Sequence, residues 1–313
     1  MKHVVLKETN LTLSRVGFGC GPLGSKEWGN YDQKETMSAV SKAFELGINY
    51  FDTADVYGLG TSEELLSKAL GGNRHEAVIS TKFGVNWSSS NKDLRAETFY
   101  DLSPGRVKEA LEASLRRLRI DSVPLYFMHW PDPKTPLQDT LEVLESLISQ
   151  GKVQYIGLSN FSLKQVKEVN QNLRVSAIQV QHSLIDKDLN TELVDYCELN
   201  DINLISYGSL AQGLLSGKYD KHFEFNDDDC RNRLPHFHGK TLEKHLPLIR
   251  KIKSIALKYK ISSSQVALRW ALEEPAISSV ISGIKTINQL EDNYGCLDWE
   301  IDESDYDFFK RTQ

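Results

Sequence analysis

The chain has 313 residues, 40% of them hydrophobic and 26% charged, a composition that excludes a disordered or collagen-like protein and allows a large core. Thirty-seven Lys and Arg against 43 Asp and Glu give a net charge of -6 with no long basic run, so no nucleic-acid partner is expected. No stretch approaches the roughly 18 apolar residues of a membrane helix, and residues 1–10 lack the apolar core of a signal peptide.

Residues 4–14, turning at Glu8-Thr9-Asn10, read as a short hairpin able to cap one end of a barrel. β-rich runs follow at 16–19, 49–52, 78–82, 123–129, 153–159, 177–180, 203–207 and 278–282. Segments of helical period lie between them at 33–46, 62–70, 104–118, 137–150, 163–170, 191–199, 263–273 and 287–296. Gly47 and Gly151 close helices, Pro104 and Pro136 open them, and Ser62 with Glu63 and Glu64 supplies a capping oxygen and negative charge. Two more helices, 246–259 and 302–311, stand outside the alternation.

Eight strands alternating with eight helices, unbroken by a linker, predict one domain over residues 1–313. The expected fold is α/β, a (β/α)8 TIM barrel with an N-terminal hairpin and two extra helices; a doubly wound open sheet is the alternative. The long connections after Lys82 and Tyr207 have the length of functional lids, and 219–240, with Asp227-Asp228-Asp229, is expected to clasp a ligand. Cys230 with His236 and His238 is the densest metal-like cluster, but it lies in a loop-like stretch and no metal is expected. The other cysteines, Cys20, Cys197 and Cys296, are far apart, which suits reduced thiols and a cytoplasmic location.

Four polar residues stand at or just past successive strand ends: Asp52, Tyr57, Lys82 and His129. In a barrel these neighbours converge, and a Lys or Asp on a barrel strand is too costly to bury unpaired. A structural Asp52–Lys82 ion pair would explain two of them. Together the four point to chemistry: a Lys beside a phenol favours the phenolate and lowers its pKa, a carboxylate holds that Lys, and a His can orient a carbonyl.

The text around them resembles the aldo-keto reductase family, of the bacterial type related to potassium-channel β-subunits. The matching runs are Tyr50-Phe51-Asp52-Thr53-Ala54-Asp55-Val56-Tyr57-Gly58, Ser80-Thr81-Lys82-Phe83-Gly84, Met128-His129-Trp130-Pro131, Gly157-Leu158-Ser159-Asn160-Phe161, Ile178-Gln179-Val180 and Ser209-Leu210-Ala211-Gln212-Gly213-Leu214-Leu215-Ser216-Gly217-Lys218, in order along nearly the whole chain. The resemblance implies an NADPH-dependent oxidoreductase that reduces an aldehyde, ketone or sugar carbonyl by hydride transfer. Tyr57 would be the general acid, Lys82 and Asp52 would tune it, and His129 would orient the substrate.

It further implies that Ser159, Asn160 and Gln179 hold the carboxamide and that Tyr207 stacks on the nicotinamide. The pyrophosphate is expected along Ser209, Leu210, Gln212, Gly213 and Lys218, and the adenosine end at Gly283, Lys285, Gln289, Asp292 and Asn293. Lys285 is the expected partner of the 2′-phosphate that separates NADPH from the less expected NADH, although an Arg that many relatives carry in that region is absent. Gln181-His182-Ser183 and Gly84 depart from the usual substrate wall, which leaves Trp28, Trp87 and Trp130 as aromatic candidates for the pocket. The alternative function is a nucleotide-sensing regulatory subunit on the same fold. A carboxylate-pair hydrolase explains Lys82 less well.

Overall fold

The computed structural model describes residues 2–24, 26–29, 32–88 and 96–311. Strands β1 (His3–Val5) and β2 (Thr12–Ser14) form the expected antiparallel hairpin. The barrel follows with β3 (Val16–Gly19), α1 (Gln33–Glu45), β4 (Tyr50–Asp52), α2 (Thr61–Leu70) and β5 (Val78–Phe83). A two-stranded ribbon, β6 (Val85–Trp87) and β7 (Thr98–Tyr100), leads to α3 (Pro104–Leu118), β8 (Val123–Met128), α4 (Leu137–Ser149), β9 (Val153–Ser159) and α5 (Leu163–Asn172). Then come β10 (Val175–Gln181), α6 (Thr191–Leu199), β11 (Asn203–Tyr207), α7 (Gly239–Tyr259), α8 (Ser263–Leu272), β12 (Ile277–Gly283), α9 (Ile287–Tyr294) and α10 (Glu303–Arg311).

Strands β3, β4, β5, β8, β9, β10, β11 and β12 pair in that order, all parallel, and β12 closes back on β3. The fold is therefore the (β/α)8 barrel and not the open sheet. Its interior is filled by Tyr50, Val78, Leu125, Phe127, Ala177, Ile205 and Ile281, and the hairpin adds Leu6, Leu11 and Leu13 to that cluster. Each such buried side chain stabilises the closed end by about 1.5–3 kcal/mol relative to exposure. A second core lies between the strands' outward faces and the helices, with Val40, Leu66, Leu111, Leu144 and Val166 as helical members.

Three local expectations are corrected. Helix α7 begins at Gly239 rather than 246 and continues through Pro247; the connection after β11 is correspondingly shorter. Ser62 does not cap α2, whose N-cap is Gly60; its hydroxyl instead binds the Cys20 carbonyl and the Thr53 hydroxyl, both at 2.9 Å. The connection after Lys82 contains the β6–β7 ribbon, while residues 89–95 of it lie outside the described residues. No helix among the described residues is long and apolar enough to cross a membrane.

Candidate active site

Register places the polar side chains. Asp52, the last residue of β4, lies opposite Ser80 of β5, Lys82 opposite Phe127 of β8, and Ser159 of β9 opposite Gln179 of β10. All are at the C-terminal end of the barrel, where successive parallel strands bring their last residues onto one rim. Tyr57 arrives from the turn after β4. That turn reverses through Gly58 at φ 56°, where a Cβ would lie 2.7 Å from the Gly24 carbonyl oxygen, so the glycine is needed to bring the phenol over the rim.

The ammonium of Lys82 uses all three of its N–H donors: on Asp52 Oδ2 at 2.6 Å, the Thr53 carbonyl at 2.8 Å and Tyr57 Oη at 3.4 Å. Lys82 is 1% exposed and Asp52 4%. Burial works against the Lys82 charge, yet Asp52 and Tyr57 lift the ammonium above its ordinary pKa, so it stays charged. Burial also raises the Tyr57 phenol above its ordinary value, and Lys82 only pulls it part of the way back. This corrects the sequence-based expectation of a lowered phenol: loss of solvent outweighs the cation here.

His129 follows the last residue of β8 and meets Tyr57 edge to face, with ring centroids 6.0 Å apart. Burial, and then Lys82, hold its pKa well below the usual histidine value, so the imidazole is neutral. Its buried Nδ1 has no hydrogen-bond partner. The rim therefore carries a charged Lys, a protonated phenol and a neutral imidazole.

Asp52 Oδ1 also accepts from Ser80 Oγ at 2.7 Å and Gln179 Nε2 at 2.5 Å. Asn160 sits at φ 63°, a conformation Asn tolerates better than most residues, and its amide donates to the His129 carbonyl at 3.0 Å and to Ser159 Oγ at 3.1 Å. Tyr207 Oη donates to Asn160 Oδ1 at 3.0 Å. Ser159, Asn160, Gln179 and Tyr207 thus form one polar wall beside the four rim residues.

From this wall a cleft of about 360 Å³ runs along the loop 209–218, lined by Ser209, Leu210, Gln212, Gly213 and Lys218, to Gly283, Lys285, Gln289, Asp292 and Asn293. Ala211, Gln212 and Gly213 are consecutive positive-φ residues, at 46°, 52° and 96°. Within this run the Ala211 and Gly213 amides donate back to the Gly208 and Leu210 carbonyls, at 2.7 and 2.9 Å, which fixes the turn of the loop along the cleft. At the far end Gln289 accepts from the Lys285 amide at 2.9 Å, Gln265 donates to Asp292 at 3.2 Å, and Asn293 to Ser282 at 2.9 Å. Burial, then Arg231 and Lys218, lower the Lys285 pKa; burial, then Arg231, lower that of Lys218.

Arg231, in the loop after β11, was missed by sequence reasoning. The triple acidic run drew attention to the loop's charge, whereas the spacing of Asp229 and Arg231, a turn-forming acid two residues before a cation, was the available signal. Of the aromatic candidates, Trp28 and Trp130 line the cleft and Trp87 does not. Trp87 ends β6, whose pairing with β7 holds it on the ribbon. Trp130 stacks on Tyr100 of that ribbon with centroids 5.8 Å apart, and Tyr100 itself does not line the cleft. His236 bonds His245 at 3.1 Å and His238 bonds the Arg231 carbonyl at 3.1 Å.

Comparison with known proteins agrees with this layout. The model of the aldo/keto reductase family matches residues 15–312. Aldo-keto reductase YhdN of Bacillus subtilis is 32% identical over 308 residues, covering 97% of this chain and 91% of the relative. The NADH-specific methylglyoxal reductase of Escherichia coli is 30% identical over 315 residues, covering 97% and 96%. Among solved structures, the glycerol dehydrogenase of Gluconobacter oxydans superposes with a TM-score of 0.89 at 30% identity, covering 98% of this chain and 94% of that one. The chain belongs to the aldo/keto reductase family of nicotinamide-dependent oxidoreductases.

Proposed function

We propose that the protein is an NADPH-dependent reductase of small aldehydes, ketones or open-chain sugar carbonyls, with Tyr57 as proton donor. The observation that carries this reading is the Lys82 ammonium, nine-tenths and more buried, with one of its three donors on Tyr57 Oη. A lysine placed only for stability has no need of the phenol.

The cleft's donor set suits a dinucleotide. Amide-bearing side chains lie next to the reacting groups, small residues such as Ser209 and Gly213 line the middle, and Lys218, Arg231 and Lys285 gather at the far end. Ser159, Asn160 and Gln179 would hold a reduced nicotinamide, which would supply the hydride. A substrate carbonyl oxygen within reach of Tyr57 and His129 takes the Tyr57 proton, while Lys82 stabilises the phenolate left behind. Because the phenol's pKa is raised, Tyr57 holds its proton throughout the neutral range. The neutral imidazole of His129 orients the oxygen by a hydrogen bond without competing for the proton.

Trp130, next in sequence to His129, lends the cleft an apolar face beside the rim, and a small carbonyl compound matches the name of the methylglyoxal-reducing relative. That relative is NADH-specific by name, whereas the cationic far end of this cleft favours a 2′-phosphate. Steady-state rates on 4-nitrobenzaldehyde, methylglyoxal and a panel of sugars, each with NADPH and NADH, test the reading. Turnover with a higher kcat/KM for NADPH is expected; absence of turnover with every carbonyl would leave the nucleotide-sensing alternative.

A further inference from the structure

Arg231 stands at the cationic end of the cleft, yet its guanidinium is already engaged. Nε donates to Asp229 Oδ1 at 2.8 Å and Nη2 to Asp229 Oδ2 at 2.5 Å. Nη2 also donates to the Trp28 carbonyl at 3.1 Å, and Nη1 to Tyr219 Oη. A guanidinium has five N–H donors, so these four bonds leave one for anything bound in the cleft. The group also lies over two adjoining rings, 4.7 Å from the Phe225 centroid and 5.3 Å from that of Tyr219.

The pair is also packed from the opposite loop. At Gly29, φ is 77°, and a Cβ there would lie 2.7 Å from Asp229 Oδ2 and 2.9 Å from Arg231 Nη2. Asp229 is 4% exposed and Arg231 7%, so the ion pair is a fixed, nearly neutral post rather than a mobile fork. Lys285 borders the same cleft, and its ammonium shares the Trp28 carbonyl, at 2.8 Å.

We propose that Asp229 sets the ratio of NADPH to NADH affinity, by occupying the donors of Arg231 and cancelling its charge at the cationic end of the cleft. The inference rests on the dinucleotide reading given above. A phosphomonoester carries about 1.5 to 2 negative charges, so removing one opposing carboxylate acts on it strongly and on NADH, which lacks that group, far less. Asp229→Asn keeps the shape and one acceptor oxygen while it removes the charge and frees Nη2. Arg231→Met does the reverse and leaves a bare carboxylate at the same place.

Fluorescence titration of NADPH and NADH against the wild type, Asp229→Asn, Arg231→Met and the double variant tests this, with thermal melting to verify that each is folded. Asp229→Asn should raise the ratio of the NADH Kd to the NADPH Kd by about five-fold or more, and the gain should shrink as salt is added. Arg231→Met should lower the ratio by a similar factor, and the double variant should return it to within about two-fold of wild type. If Asp229→Asn weakens both dinucleotides in step, or lowers the ratio, the pair only shapes the loop and the inference is overturned. A folded double variant whose ratio stays far from that of the wild type overturns it independently. Failure of the wild type to bind either dinucleotide would instead remove the underlying reading.

Discussion

Gln179 Nε2 lies 2.5 Å from Asp52 Oδ1, so a residue of the wall proposed to hold the cofactor and the carboxylate that fixes Lys82 share a hydrogen bond. On the proposed reading, binding and proton donation would be coupled through this one buried carboxylate. Gln179→Met should weaken NADPH and NADH alike and also lower kcat about ten-fold, since a hydrogen bond to a charged group contributes about 1.5–3 kcal/mol. A change confined to Kd, with kcat at the wild-type level in saturating cofactor, would show that the bond to Asp52 has no role in the chemistry.

The Asp52–Lys82 pair is buried and breaking it from either side leaves an uncompensated charge. Lys82→Met should cost about 3–5 kcal/mol of folding stability and most of the activity. Combined with Asp52→Asn, the stability loss should be smaller than the sum of the two single losses. Urea unfolding of the four species gives the coupling directly, and strict additivity would contradict the pair.

Stability should also fall in mild acid for a reason outside the cleft. His182 is 2% exposed and stacks on Trp270 at 4.7 Å, and neither ring nitrogen has a partner. Burial first, with a smaller opposing influence from Asp186, takes its pKa from 6.5 to about 4. The unfolded chain therefore takes up this proton first, and stability fully present above pH 6.5 is lost as pH falls through 4. The loss approaches about 3 kcal/mol. His129, also held neutral, adds in the same direction. His182→Phe should flatten the decline of Tm between pH 6.5 and 4, and an unchanged slope would assign the acid sensitivity elsewhere.

Cofactor choice has its own test at Lys285. Its ammonium already meets the Trp28 carbonyl at 2.8 Å, so a 2′-phosphate must compete with that acceptor. Lys285→Ala should weaken NADPH by about 1–3 kcal/mol and leave NADH nearly unchanged, with the difference shrinking in salt. Calorimetric titration showing equal losses for both would make Lys285 a support of the loop.

Much of this arrangement is legible in the sequence because barrel strands are short, apolar runs, and a polar residue at the end of one stands out. Asp52, Lys82 and His129 each interrupt such a run, and register then brings them together. What was not legible depends on partners far away in sequence. Helix α7 starts at Gly239, well before the 246 that the helical period marks, and runs through Pro247. Ser62 has the pattern of a cap, yet its hydroxyl is claimed by Cys20, 42 positions earlier. Trp87 does not line the cleft because it ends β6 on the β6–β7 ribbon, which brings Tyr100 and not Trp87 against Trp130. The sign of the Tyr57 shift needed the depth of its burial, which no spacing encodes.

The central claim is that Tyr57 gives the proton. Tyr57→Phe removes only the hydroxyl that Lys82 Nζ faces at 3.4 Å. Single-turnover reduction of 4-nitrobenzaldehyde by NADPH, measured beside the NADPH Kd, separates chemistry from binding. The account predicts a rate lowered about 10² to 10⁴-fold with Kd within a few-fold of wild type. A variant retaining more than about a tenth of the wild-type rate would contradict it.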